Sequence, residues 1–367
     1  MTLNATQSGR CGPSQPAWAV LLCGQISAHE KNNMQHLIDE SGKVTYANFT
    51  TPVETINYRD FDLRDNMDKP ASFLKKRMGF NQFQFIALTG PELIFGLAIV
   101  NLKWVNNCFA YCYEPATGKF QEFSSLLPLS FGSEVNQTPN RGIWRFAQGK
   151  NFAEIRCEKQ QRIVEFYFDG MACGEFYIDE KNHYDPLAVC CRAGYSGFVY
   201  TQKSAALAVQ GNIKWGEKVF AVEPLLASVD WSAGYMRRET FWLWSSLSCR
   251  LENGQTLGFN LAAGVNETSF TENALWLDGK KIKLERAEFI FDRTDRQKPW
   301  TIRSSDGVLT LQFIPEGKRC EKVNAGLLAS NFTQLFGKYY GEVRLNDGQI
   351  LTIDGQYGFA EDHYAKW

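Results

Sequence analysis

The side chains best suited to chemistry stand near the end of this 367-residue chain, in Gly355-Gln356-Tyr357-Gly358-Phe359-Ala360-Glu361-Asp362-His363-Tyr364-Ala365-Lys366-Trp367. Glu361 and His363 are two residues apart, so in an extended segment they share a face and form an acid/base pair. A second group follows Gly258: Asn260, Asn266, Glu267, Glu272, Asn273 and Trp276. Glu272 in an apolar pocket would have its pKa raised and serve as general acid or base, with Asn260 and Asn273 orienting a substrate carbonyl. A third group is Arg237-Arg238-Glu239-Thr240-Phe241-Trp242-Leu243-Trp244-Ser245-Ser246. As a strand it puts Thr240, Trp242, Trp244 and Ser246 on one face and Phe241 and Leu243 on the other. Two indoles and two hydroxyls suit the wall of an amphipathic ligand cavity. Each group also fits a plain packing role: a core strand, loop polars bound to backbone, or a docked tail.

Other chemistries find no support. There is no glycine-rich phosphate loop and no Gly-x-Ser-x-Gly elbow. The four histidines, His29, His36, His183 and His363, show no metal-type pairing. No cofactor and no metal are expected. The 39 basic and 40 acidic side chains nearly cancel, so no nucleic-acid partner is expected either. No apolar run reaches the roughly 18–20 residues that cross a bilayer, so no transmembrane segment is expected. The ten cysteines lack any Cys-x-x-Cys spacing. The apolar stretch Ala17–Cys23 is too short for a secretory signal. Buried free thiols in a reducing cytoplasm are the expectation.

The elements that must carry these residues read as β. Aromatics make up 14% of the chain, and alternating runs are broken by turns such as Glu252-Asn253-Gly254, Asp278-Gly279, Asp306-Gly307 and Asn346-Asp347-Gly348. The middle of the chain is written twice: Arg77 and Arg238, Phe83 and Trp244, Gly96 and Gly258, and Gly118 and Gly279 stand about 161 residues apart. A second echo, Ile155-Arg156 against Ile302-Arg303, has a shorter offset. The pattern predicts an all-β protein of two tandem antiparallel barrels or bent sandwiches made by internal duplication. The divisions expected are a disordered segment 1–16, an N-terminal lobe 17–220 and a C-terminal lobe 221–367. Residues 17–30 are expected to form a strand, and 31–42 a short helix closed by Gly42, since Met34, Leu37 and Ile38 fall at helical spacing.

Several motifs together carry a family resemblance: Asn57-Tyr58-Arg59-Asp60-Phe61, the run from Gly96 to Leu102, Arg238-x-Thr240-x-Trp242-x-Trp244, Gly258-x-Asn260-Leu261, Thr271 to Trp276, Pro299-Trp300-x-Ile302-Arg303-Ser304, and Glu361-x-His363-x-x-x-Trp367. From about Leu21 to Trp367 the chain resembles the uncharacterised family labelled domain of unknown function 2804. More distantly it is similar to two-domain, lipocalin-like proteins that include the carotenoid hydratases and related cyclases. That resemblance implies two barrel-like lobes and a non-polar ligand. It assigns no catalytic residue.

Three functions follow in order of preference. The first is binding of a hydrophobic or amphipathic small molecule, lipid or isoprenoid-like, in an aromatic-lined β-barrel pocket. The ligand-binding candidates are Thr240, Trp242, Trp244, Asn260, Asn273 and Trp276. The second is a hydratase, isomerase or cyclase acting on such a ligand without metal or nucleotide, with Glu272, Glu361 and His363 as catalytic candidates. The third is a non-catalytic interaction scaffold.

Overall fold

The computed structural model describes residues 36–182, 184–265, 270–324, 326 and 328–366. The expected disordered segment 1–16 and strand 17–30, together with Asn266, Glu267 and Trp367, lie outside them. The described residues are almost wholly β, with one α-helix, Phe73–Met78, capped by Ser72 Oγ accepting from the Lys75 amide at 3.2 Å.

Two antiparallel sheets share one plan. The first opens with a four-strand meander, Asn81–Thr89, Ile94–Asn101, Val105–Glu114 and Lys119–Pro128. Its last strand, Leu226–Gly234, returns to pair with the first, and Gly197–Trp215, Ala172–Asp179, Gln161–Phe168, Asn151–Glu158 and Gly142–Gln148 continue outward. The second sheet repeats this with Glu239–Arg250, Thr256–Ala263, Ala274–Leu277 and Lys280–Lys283. Its last strand, Ile350–Lys366, pairs with Glu239–Arg250, and Ala329–Arg344, Leu309–Asn324, Trp300–Ser304 and Ala287–Ile290 follow. The duplicated pairs occupy matching places: Phe83 and Trp244 on the first strand of each meander, Gly96 and Gly258 on the second. The second echo is displaced by one strand, because the first sheet carries more strands between its centre and that hairpin.

Turn chemistry sets the register. Asp278 and Gly279 both have positive φ (47° and 77°), as do Lys159 and Gln160 (51° and 58°), so each hairpin closes on two residues with the strand twist preserved. The chain passes between sheets across Tyr235–Arg238, so Leu226–Gly234 belongs to the first sheet although it follows residue 220. Residues 36–42 depart from the expected helix. Ile38 bridges Val44, His36 bridges Thr55, and Gly42 turns the chain at φ 78°. Leu37 and Ile38 are buried in the first core, and the Asn57 side chain bonds the Ile38 amide and carbonyl, both at 2.9 Å. Tertiary burial thus overrides a spacing too short to nucleate a helix.

Each sheet curls around its own core. Ile86, Leu88, Phe95, Phe166, Phe176 and Trp215 fill the first; Leu247, Phe259, Trp300, Phe313 and Tyr339 fill the second. The opposite faces of the two meanders meet each other. Ala87, Ile94, Tyr111 and Tyr113 pack there against Trp244, Phe336 and Phe359. The duplicated glycines make this approach possible. A Cβ on Gly96 would stand 2.3 Å from Tyr111 Cζ, and one on Gly258 would stand 2.7 Å from Ala205 Cβ of the other lobe. Gly96→Ala is therefore expected to destabilise the protein by about 1–3 kcal/mol in urea unfolding, because the buried Tyr111 ring has no room to yield. An unchanged midpoint would show that the seam is loosely packed.

Candidate functional site

The face that the second sheet turns to the first is built in rows across hydrogen-bonded strands. Trp244 lies opposite Glu361, and Glu361 opposite Gln334; Trp242 lies opposite His363, and His363 opposite Phe332. The expected alternation holds, with Thr240, Trp242, Trp244 and Ser246 on this face and Leu247 in the core behind it. Residues Ile350–Lys366 form the central strand of the sheet, which is why Phe359 is anchored.

Glu361 is buried, and both its oxygens accept hydrogen bonds: Trp242 Nε1 donates to Oε1 at 2.8 Å and Gln334 Nε2 to Oε2 at 3.0 Å. His363 Nδ1 stands 3.5 Å from Glu361 Oε1. Its Nε2 is 3.1 Å from Ser330 Oγ. The Nδ1 atom makes no hydrogen bond among the described residues, the carboxylate standing beside it without hydrogen-bond geometry. Trp242 and Phe332 enclose the imidazole, with ring centroids at 4.1 and 4.8 Å. The first lobe closes this cluster with Phe85, Phe109 and Tyr111. Burial pushes the Tyr111 phenol well above its ordinary range, and its hydroxyl has no hydrogen-bond partner among the described residues, nor has Gln334 Oε1.

Two charged links across the seam escaped the sequence reading. Arg319 crosses from the second lobe, giving Glu122 Oε1 hydrogen bonds from Nε at 2.9 Å and Nη2 at 2.6 Å. Its guanidinium lies 4.1 Å from the Phe109 centroid and 4.8 Å from that of Phe332, a doubly stacked cation. At the other link, Lys203 of the first lobe is buried 2.5 Å from Asp230 Oδ2 and 3.2 Å from Glu272 Oε2 of the second. Burial alone would lower the Lys203 pKa; the two carboxylates outweigh it and hold it above the usual lysine value. Neither link has a sequence signal, since the partners lie far apart in the chain.

The candidate residues therefore fall into separate places. Glu361, His363 and Trp242 come together, with Trp244 in the neighbouring row and Thr240, half-buried, beyond Trp242 on the same strand. Glu272 sits against an ammonium ion, an arrangement unlike an acid alone in an apolar pocket. Asn260 accepts from Trp244 Nε1 at 2.8 Å and donates to the Glu272 carbonyl at 2.6 Å. Asn273 bonds the Ala262 amide and the Glu285 carbonyl, and Trp276 donates to the Asp185 carbonyl at 2.7 Å. A surface hollow of about 310 Å³ lies on the first lobe among Tyr46, Asp62, Arg64, Asp65 and Arg192. Its carboxylates are engaged locally, Asp65 by the Met67 and Lys69 amides and Asp62 by Arg64.

Fold and site together define a two-lobed, lipocalin-like β protein with a carboxylate–imidazole pair in the seam between its lobes. The chain belongs to the family described as domain of unknown function (DUF2804), which it matches over residues 28–367. No curated protein matches it. Among solved structures it is similar to CghA with Sch210972, at a TM-score of 0.53 and 10% identity over 90% of this chain and 97% of that one. CghA without that compound gives a TM-score of 0.49, again at 10% identity, over 90% and 96% of the two chains. Kievitone hydratase from Nectria haematococca gives 0.45 at 8% identity over 90% and 98%. Eight described cysteines are free thiols, and burial pushes Cys112 and Cys249 up to about 12. No helix among the described residues is long and apolar enough to cross a membrane.

Lys203→Met removes the ammonium that half-buried Asp230 and buried Glu272 both face, so it is expected to cost about 3–5 kcal/mol in urea unfolding. Adding Asp230→Asn and Glu272→Gln should recover most of that loss. A single variant as stable as the parent would mean the cluster is solvated.

Proposed function

We propose that the protein binds a hydrophobic or amphipathic small molecule, of lipid or isoprenoid type, in the aromatic seam between its two sheets. The observation that carries this reading is the Glu361–His363 pair set among Trp242, Phe332, Phe109 and Phe85. An aromatic lining with a few convergent polar groups is the usual make-up of a small-molecule site. Because the seam is close-packed, the ligand's apolar body would have to part the rings, its polar end reaching Glu361, His363 and the Tyr111 hydroxyl. The occurrence of the same fold in CghA, solved with Sch210972, supports a ligand role for this architecture. The free thiols support a reducing compartment, and we place the protein in the cytoplasm.

The paired geometry favours a second reading, in which the bound molecule undergoes proton transfer, as in hydration, isomerisation or cyclisation. A carboxylate 3.5 Å from Nδ1 would favour a proton on that nitrogen when the pair tightens, leaving Nε2 to exchange protons with the ligand, directly or through Ser330. Glu361 is itself held by two donors, which fixes the direction from which it faces the ring. The first test is native mass spectrometry of freshly purified protein with extraction of any passenger. A stoichiometric apolar molecule is expected, with Trp242→Ala lowering its occupancy at least tenfold. Equal occupancy in that variant would remove the ligand from the seam. Once the molecule is known, Glu361→Gln and His363→Ala are expected to lower turnover about 100-fold or more while binding persists. Undiminished turnover in both would leave a binding protein without this chemistry.

A further inference from the structure

The core of the first lobe contains polar groups that the seam does not use. Strand Asn81–Thr89 turns Ile86 and Leu88 inward, and the same face carries Gln82 and Gln84, at 0% and 1% exposure. The nitrogen and oxygen of the Gln82 amide have no hydrogen-bond partner among the described residues, and the Gln84 amide meets only the Cys157 thiol. Trp231, directly opposite Gln84 on the next strand, has an indole Nε1 in the same condition. From the far wall comes Arg162, 1% exposed. Its Nε donates to Glu180 Oε1 at 2.7 Å and its Nη2 to the Pro139 carbonyl at 3.2 Å, while Nη1 has no acceptor. The Cys157 thiol joins the two sides, interacting with both Gln84 and Arg162. Next to Trp231, Gln202 bonds Asn140 at 2.5 Å and Tyr184 at 2.8 Å, and Asn140 is the exposed end of that network.

A buried polar group without a partner costs about 1–3 kcal/mol, and native cores tolerate few of them. Leucine or methionine at positions 82 and 84 would fill the same volume at no such cost. We propose that these groups form a second ligand site, inside the first barrel and separate from the seam, for a small uncharged molecule bearing carbonyl or hydroxyl oxygens. Charge sets the class. Glu180 already balances Arg162, so an anion would enter without a counter-charge. Apart from the Gln84–Cys157 contact, the open groups are the two glutamine amides, Arg162 Nη1 and Trp231 Nε1, so donor groups outnumber acceptors and favour an oxygen-rich ligand.

The test uses the full chain labelled with 15N-tryptophan, with the Trp231 indole resonance assigned by Trp231→Phe. Acetamide and glycerol are titrated as neutral probes, and acetate as the charged control. A saturable shift of the Trp231 indole with a neutral probe and none with acetate is expected. Gln84→Leu should abolish that shift and raise the melting temperature, and Gln82→Leu serves as the parallel variant. Trp242→Ala, in the seam, should leave the shift intact. A Trp231 signal that responds to no probe would mean that water alone occupies the groups, and would overturn the proposal. So would a response to acetate alone, or a loss of stability in both leucine variants.

Discussion

The proposed site depends on two curled sheets pressing their outer faces together. The outer face of a sheet ordinarily meets water and is polar. Here the inner strands Ile94–Asn101 and Thr256–Ala263 are buried on both sides for most of their length, which accounts for their apolar runs. Close approach sets the composition of the seam. Gly96 and Gly258, the duplicated pair, leave room for Tyr111 and for the Ala205–Ala206 backbone of the other lobe. The seam also holds a line of hydroxyls: Ser228 Oγ is 2.8 Å from Ser248 Oγ, which accepts from the Ala206 amide at 2.8 Å. Ala206 has φ 59° at a bulge in strand Gly197–Trp215, so the irregularity aims that amide at the second lobe.

The seam also gives the Glu361–His363 pair its environment. Glu361 is shielded from water because the first lobe lies over it, and the hydrogen bonds from Trp242 and Gln334 come from the two strands flanking its own. A pair held this way by adjacent strands of one sheet is preorganised, the condition under which polar groups act strongly in a dry site. Arg319 and Glu122 fasten the lobes beside it, so side chains from both lobes fix its surroundings.

Much of this was legible in the sequence, for identifiable reasons. Period-2 alternation showed that Trp242 and Trp244 share a face, and the two-residue spacing of Glu361 and His363 carried over directly because that segment is a strand. Turns such as Asp278-Gly279 stood out because few residues adopt positive φ. The duplication was visible because both sheets reuse one close-packed seam. What was hidden depends on long-range pairing. Arg319 meets Glu122 from 197 positions away, and Lys203 lies close to Glu272 only after both sheets have formed. Gln334 and Tyr111 had no local signature. Asn260 and Asn273 looked like substrate-orienting amides, yet their hydrogen bonds go to other groups of the same sheet. Their neighbours in sequence could not show that.

The central claim is that the ligand lies between the sheets, and photoaffinity labelling tests it most directly. A diazirine-bearing isoprenoid alcohol, cross-linked to the purified chain and mapped by peptide mass spectrometry, should mark Phe109, Trp242 and Phe332 on strands Val105–Glu114, Glu239–Arg250 and Ala329–Arg344. Labels confined to the inward faces, at residues such as Phe166, Phe176 and Trp215, would place the ligand inside a barrel and contradict this account.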